Sequence, residues 1–295
     1  MAAAFRMTDT VKVYPEFKLG PLNIELEPGT VLGYVGPNGS GKTTTLHCLV
    51  GLARTDGGEI EIFGRPNDLN RPEWKYDIGY VGDEHVFYEG WNGAKNLKFI
   101  GQFYPNWSGE LVEKLAKRFE VSLDKPVKTL SKGNRVKLAL IAALAHSPRL
   151  LLFDEPTSGL DPVVRDDVLD LLFEMMETGE RAIFYSTHIL SDISRLADEL
   201  AFLNDGRVLM RTTKDDLTDR WRRISFTLAE DSGLFDGAVS HKQVGRDHQV
   251  VSRDCASTIR QLRELGAANI EEIRMSIDEI AVQILREGKS NVAAS

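Results

Sequence analysis

Apolar residues fall in short unbroken runs that alternate with stretches of helical spacing, the order expected of a sheet whose strands are joined by helices. Residues 30–36 (TVLGYVG) read as a short apolar strand entering a glycine-rich loop, with a helix beginning at about Lys42. Leu150–Asp154 (LLLFD), set between Pro148 and Pro156, shows no polar alternation, which fits a strand covered on both faces. Residues 182–186 (AIFYS) form a third such strand and lead into a helix over about 189–199. Residues 200–210 break at Asn204-Asp205-Gly206, a hairpin-turn signal. Residues 91–147 have a different texture, helical and amphipathic, and read as an insertion into the α/β core. Its last helix, over roughly 134–147, carries Val136, Leu138, Leu140, Ile141 and Leu144.

A second boundary falls at Arg220-Trp221-Arg222-Arg223, which reads as a solvated basic linker. Beyond it, strands at 224–228, 249–251 and 270–275 and helices at 256–265 and 277–286 make a small α+β module. The closing GKSNVAAS is small and polar, so a frayed end is expected.

Composition adds exclusions. The 295 residues allow about two domains of ordinary size, and 42% apolar with 27% charged residues is normal for a soluble chain. A net charge of −8 weighs against a free-standing binder of nucleic acid or anionic lipid. No apolar run approaches the roughly 20 residues of a membrane-spanning helix, and the start, MAAAFRMTD, is too short in apolar length for a secretory signal. Cys48 and Cys255 stand far apart and imply neither a disulfide framework nor a zinc site. A soluble, cytosolic protein is the expectation.

Candidate chemistry begins at Gly36-Pro37-Asn38-Gly39-Ser40-Gly41-Lys42-Thr43, which satisfies GxxxxGK[ST] after a strand and at the opening of a helix. In that setting successive backbone N–H groups can curl around phosphate oxygens, the helix start adds its dipole, Lys42 supplies a point charge, and Thr43 can ligate Mg²⁺. Kinases, GTPases and ATPases share this loop. Asp154 and Glu155, at the end of the LLLFD strand, narrow the choice: the first can hold Mg²⁺ through water and the second can act as general base. No NKxD guanine-reading motif is present, which disfavours a GTPase.

Taken together these residues resemble the ATP-binding cassette (ABC) superfamily. Leu130-Ser131-Lys132-Gly133-Asn134 stands where that family has its LSGGQ signature, Ser158-Gly159-Leu160-Asp161 where it has the D-loop, and Ser186-Thr187-His188 where it has the switch histidine. The resemblance implies a P-loop α/β core with an antiparallel β subdomain over 7–220, the helical insertion within it, and an accessory α+β domain over 221–295. It implies ATP and Mg²⁺ as ligands and a head-to-tail pair of such domains, homo- or heterodimeric. Each ATP would then lie between one P-loop, with Thr44 beside Thr43, and the other copy's Ser131 and Gly133, while Asp161 links the two sites. His188 would meet the γ-phosphate, and Tyr14 would stack on adenine unless it is simply a packed strand aromatic. Ser131 can also serve as a plain helix cap.

The chain departs from the family pattern in three places. Lys132 and Asn134 replace Gly and Gln in the signature, and Gly82-Asp83 replaces the Pro-Gln of the Q-loop. Asp83 can still accept a hydrogen bond from a metal-bound water, but carries a charge that glutamine lacks; Glu84 adjoins it. Phe103-Tyr104-Pro105-Asn106-Trp107 resembles a bacterial export-type subgroup with a separate ABC-2 permease, which would hold the ATPase to the inner face of the membrane. A groove near 83–92, rich in Phe87, Tyr88 and Trp91, would receive a permease helix. The competing readings are a soluble ABC ATPase of DNA repair, translation or iron–sulfur assembly, and a regulator that binds ATP without turnover. The single P-loop and the absence of sustained heptads count against the first, and intact Lys42, Asp154, Glu155 and His188 against the second. Lys42→Ala should abolish steady-state ATP turnover; normal turnover in that variant would undo the phosphate-loop assignment.

Overall fold

The computed structural model describes residues 2–83, 87–177, 179–228 and 235–292. In chain order, β1 (Phe5–Tyr14) and β2 (Phe17–Leu26) make a hairpin, and β3 (Val31–Val35) enters the glycine loop and α1 (Lys42–Leu49). Next come β4 (Gly57–Ile62), the short β5 (Arg65–Pro66) and β6 (Ile78–Val81). The insertion holds α2 (Gly93–Gly101), α3 (Gly109–Arg118) and α4 (Lys132–Leu144). Then follow β7 (Leu150–Asp154), α5 (Pro162–Met176), β8 (Ala182–Thr187), α6 (Leu190–Leu196), β9 (Glu199–Asn204), β10 (Arg207–Thr213) and α7 (Lys214–Arg220). The chain ends with β11 (Arg222–Thr227), β12 (Ala238–Val244), β13 (Asp247–Ser252), α8 (Cys255–Glu264), β14 (Ala268–Arg274) and α9 (Ile277–Val292).

The central sheet runs β10-β9-β3-β8-β7-β6, parallel except for the β9–β10 hairpin. Its middle strands are buried along their whole length, and the reason lies in what covers each face. Leu150, Leu152, Phe184, Leu32 and Tyr34 pack toward the antiparallel sheet β2-β1-β4-β5 and α1, whereas Leu151, Phe153, Ile183, Tyr185 and Phe202 pack toward the helical layer. Two apolar faces require two apolar residue sets on one strand, hence unbroken runs in place of alternation. This is the α/β architecture expected, with the antiparallel subdomain on one side and the helical insertion on the other.

The C-terminal sheet, β12-β13-β11-β14, carries its own small core of Ile224, Phe226, Leu228, Phe235, Val250, Ile259 and Leu262. Helix α9 touches this sheet at β12 and through Arg223–Glu279 but packs mainly on the main core. Ile277, Ile280, Ala281 and Ile284 join the main core, α9 lies on β9, β10 and α6, and a Cβ on Gly288 would stand 2.3 Å from a methyl of Leu209.

Three sequence readings change. Residues 288–292 continue a helix where a frayed end is expected, with Gly288 lying against Leu209. Residues 220–223 are no solvated linker: Trp221 is buried in the main core, Arg222 donates to the carbonyl of Thr218, and Arg223 pairs with Glu279 at 2.7 Å. Strand β12, whose polar alternation is weak, was not anticipated. Among the described residues no helix is long and apolar enough to cross a membrane.

Leu152 is fully buried at the centre of the β7 face. Leu152→Ala should lower unfolding free energy by about 2–5 kcal/mol through lost burial and a residual cavity, read as a shifted denaturant midpoint with an unchanged slope.

Candidate active site

Three neighbouring strands, β3, β8 and β7, end side by side, and their carboxyl ends are where an open parallel sheet presents ligand-binding groups. From β3 comes the loop Gly36–Gly41, from β7 Asp154 and Glu155, and from β8 Ser186, Thr187 and His188. The loop turns into α1 at Gly41, whose φ of 109° belongs to glycine and whose place against Phe17 leaves no room for a Cβ. The turn of the β9–β10 hairpin braces the loop from behind, Gly206 donating its N–H to the carbonyl of Ser40 at 2.9 Å.

Lys42 is a buried cation of the site. Its ammonium donates to the carbonyls of Gly36 (2.9 Å) and Pro37 (3.2 Å) and lies 3.2 Å from Oε1 of Glu155. Glu155 holds a left-handed backbone (φ 51°), a conformation that costs an L residue roughly 1–2 kcal/mol. Its Oε2 accepts from Nδ1 of His188 at 2.6 Å and from that residue's backbone N–H at 3.3 Å. The acceptor is a carboxylate, so Nδ1 carries the proton and the ring is oriented by it. Asp154 is wholly buried. One of its oxygens accepts from Ser186 Oγ at 2.7 Å, and the other has no protein partner. A buried carboxylate oxygen left open in this way suits water on a divalent cation. Burial, with Asp154 and Asp83 close by, pushes the Tyr80 phenol well above its ordinary range and keeps it neutral.

These residues surround a cavity of about 740 Å³ lined by Asn38, Gly39, Gly41, Lys42, Thr43, Thr44, Asp83, Glu155, Ser158 and His188, and by Glu16 and Phe17. Most of the residues singled out in the sequence therefore meet at one place, Asp83 included; Glu84 lies outside the described residues. Tyr14 does not line the cavity. It ends β1 with its ring half-exposed and the Lys12 ammonium 5.3 Å from the ring centre, while its cross-strand partner Phe17 faces the loop. The Tyr14-Pro15-Glu16-Phe17 reversal pairs Phe17 with Tyr14 across the hairpin, but does not by itself tell which ring meets the loop.

Ser131, Gly133 and Asp161 lie apart from the cavity lining but close to one another. Ser131 caps α4 by accepting from the N–H of Asn134, and Asp161 caps α5 by accepting from Val163 and Val164. A Cβ on Gly133 would stand 3.2 Å from Val164, and one on Gly159 would stand 2.7 Å from the Lys132 ammonium. The signature and the D-loop thus form one continuous surface beside the cavity, which it reaches at Ser158.

Known proteins agree with this geometry. The family profile described as ABC transporter matches residues 19–158. The bacitracin transport ATP-binding protein BcrA of Bacillus licheniformis is 31% identical over 288 residues, spanning 96% of this chain and 93% of that protein. The chain belongs to the ABC transporter family. The Nod factor export ATP-binding protein I of Cupriavidus metallidurans is likewise 31% identical, over 74% of each chain. A solved ATP-binding subunit of an ABC transporter superposes with a TM-score of 0.67 at 27% identity, covering 73% of this chain and 92% of that one. A dimeric ATP-binding cassette in a post-hydrolysis state, bound to ADP and Pi, shares the fold at 24% identity with a TM-score of 0.65.

The protein is thus an ATP-binding and ATP-hydrolysing ABC transporter subunit, and the kinship with export subunits outweighs the DNA-repair, translation and iron–sulfur readings. Phe17→Ala should weaken binding of a fluorescent ATP analogue several-fold, whereas Tyr14→Ala should leave it within a factor of two. The reverse order would restore Tyr14 as the adenine platform.

Proposed function

We propose that the chain works in pairs and drives export through a membrane permease on a separate polypeptide. The observation that carries the pairing is the split site: the cavity is lined by P-loop residues, Asp83, Glu155 and His188, while Ser131, Gly133 and Asp161 lie outside that lining on a contiguous surface. A second copy turned head to tail would bring that surface over the γ-phosphate, with the N-terminal N–H groups of α4 adding their partial positive charge.

In the closed pair Lys42 and the loop amides hold the β- and γ-phosphates. Glu155 accepts the proton of the attacking water, and His188, fixed by its bond to Glu155, aligns that water and the γ-phosphate. Asp154, Thr43 and Asp83 are the residues that would hold Mg²⁺. When bound, Mg²⁺ supplies neutralisation of phosphate charge. Hydrolysis removes the γ-phosphate that joins the two copies, so the pair reopens.

A run of aromatic rings supports the permease reading. Tyr88 and Trp91 (centroids 4.4 Å apart), Phe99 (5.9 Å from Trp91) and Phe103 (5.4 Å from Phe99) form a continuous face on the insertion. Tyr88 and Phe103 are more than half exposed, and the Lys95 ammonium sits 4.0 Å over the Trp91 ring. Buried Asn96 pins the backbone of Tyr88 from both sides. Aromatic surface of this kind suits a helix from a partner. The groove anticipated at 83–92 contributes through residues 87–92; residues 84–86 lie outside the described ones. In this arrangement the ATPase sits in the cytoplasm against the membrane, and the C-terminal sheet with α8 forms an accessory lobe; the expected division at 220/221 gives way to one in which Trp221, Met275 and α9 belong to the ATPase core.

Glu155→Gln should bind ATP, hydrolyse it at a small fraction of the wild-type rate and dimerise stably. A tagged form, purified with ATP from solubilised native membranes, should bring down a polytopic membrane protein in stoichiometric amount. Wild-type hydrolysis would show that the base is misassigned. Recovery of only soluble proteins, ribosomes or nucleic acid would keep the ATPase and remove the transport role.

A further inference from the structure

Behind the cavity lies a carboxylate that the reaction scheme does not use. Asp192, in α6, is completely buried. One oxygen accepts from Thr157 Oγ1 at 2.5 Å and from the Tyr185 hydroxyl at 3.1 Å; the other accepts from Arg165 Nε at 2.5 Å, and Arg165 Nη2 also touches it. Thr157 and Tyr185 are themselves 3.0 Å apart. Taking a carboxylate out of water costs several kcal/mol unless a charge and further hydrogen bonds replace the water, and here all three partners are present. Burial and this neighbouring acid together hold the Tyr185 phenol far above its usual range, so it stays a donor.

What the cluster joins is the informative part. Thr157 lies in the middle of the strap that runs from Glu155 to Asp161, Arg165 stands one turn into α5 with its N–H on the Asp161 carbonyl, and Asp192 follows His188 by four residues. The strap and the 188–192 segment are therefore fastened twice: in front by His188 to Glu155, and behind by Asp192 to Thr157. Two fastenings between the same two segments prevent one from shifting without the other. The strap carries the general base at one end and, at the other, the Ser158–Asp161 loop that faces the second copy.

We propose that Asp192 is a positioning residue, which makes the placement of Glu155 and His188 depend on the placement of the Ser158–Asp161 loop at the interface. Thr157 is the hydroxyl through which it acts. Tyr185, anchored in β8, donates to the same carboxylate oxygen and lies 3.0 Å from Thr157 Oγ1, but it belongs to neither the strap nor the 188–192 segment, so the Asp192–Thr157 bond that joins the two does not run through it. The proposal rests on the paired reading above and adds to it the part that transmits interface closure to the base.

The test is steady-state ATPase of the purified full-length chain, with thermal midpoints and ATP affinity measured alongside. Asp192→Asn and Thr157→Val should lower kcat roughly ten- to a hundredfold, as expected for a base displaced by a fraction of an ångström to about one ångström, with KM changed less than twofold. Thr157→Ser keeps the hydroxyl and should restore most of kcat, and Tyr185→Phe should shift the thermal midpoint while leaving kcat near wild type. If Asp192→Asn does not fold, the Thr157 pair alone decides. Wild-type kcat in Thr157→Val, no rescue by Thr157→Ser, or an equal loss in Tyr185→Phe would reduce the cluster to a structural filler. Dimerisation of Glu155→Gln with ATP is scored separately: its absence overturns the pairing, whereas the Thr157 comparison reads the cluster itself.

Discussion

A lysine ammonium held almost entirely out of water, beside a glutamate in a strained backbone conformation, is the constraint on which the rest depends. Neither charge can be buried at low cost unless its neighbours are fixed to within a few tenths of an ångström. The carbonyls of Gly36 and Pro37, the hairpin turn behind Ser40 and the hydrogen bond from His188 meet that requirement. The two carbonyls follow β3 and His188 follows β8, strands buried on both faces, so the precision of the site derives from the packing of the sheet.

The same sheet explains the division of labour between its two covers. The antiparallel layer and α1 fill one face with bulky side chains such as Tyr34 and Phe184 and bring Phe17 against the glycine loop. The helical layer fills the other and carries the signature, the D-loop and the aromatic face. Nucleotide chemistry is thus built on one edge of a stiff plate, and both surfaces proposed to meet other chains hang from its helical side.

What could be read in advance follows from how local each feature is. Strands β3, β7 and β8 were legible because burial on two faces leaves only apolar residues, and the phosphate loop because its glycines, lysine and threonine are contiguous. Phe17 was not, since Tyr14 and Phe17 oppose each other across a turn and sequence order cannot say which ring faces inward. Trp221 among arginines looks solvated until β11 is seen to start there. Asp192 looks like a surface residue of a short helix, because its three partners lie 7, 27 and 35 positions away. The last turns of α9 run through Gly288, an unfavourable helix residue that the close approach to Leu209 requires.

That approach of α9 to β10 changes the topological status of everything between β10 and α9. The four-stranded C-terminal sheet and α8 are entered from the main core at Trp221 and left again into it at Met275, so both ends of the segment are clamped to the same body. It is a lobe inserted near the end of the chain, not a tail. A lobe of this kind can be exchanged or remodelled by evolution or by design as long as its entry and exit points keep their separation, while cutting the chain ahead of it would strip the parent core of its closing helix.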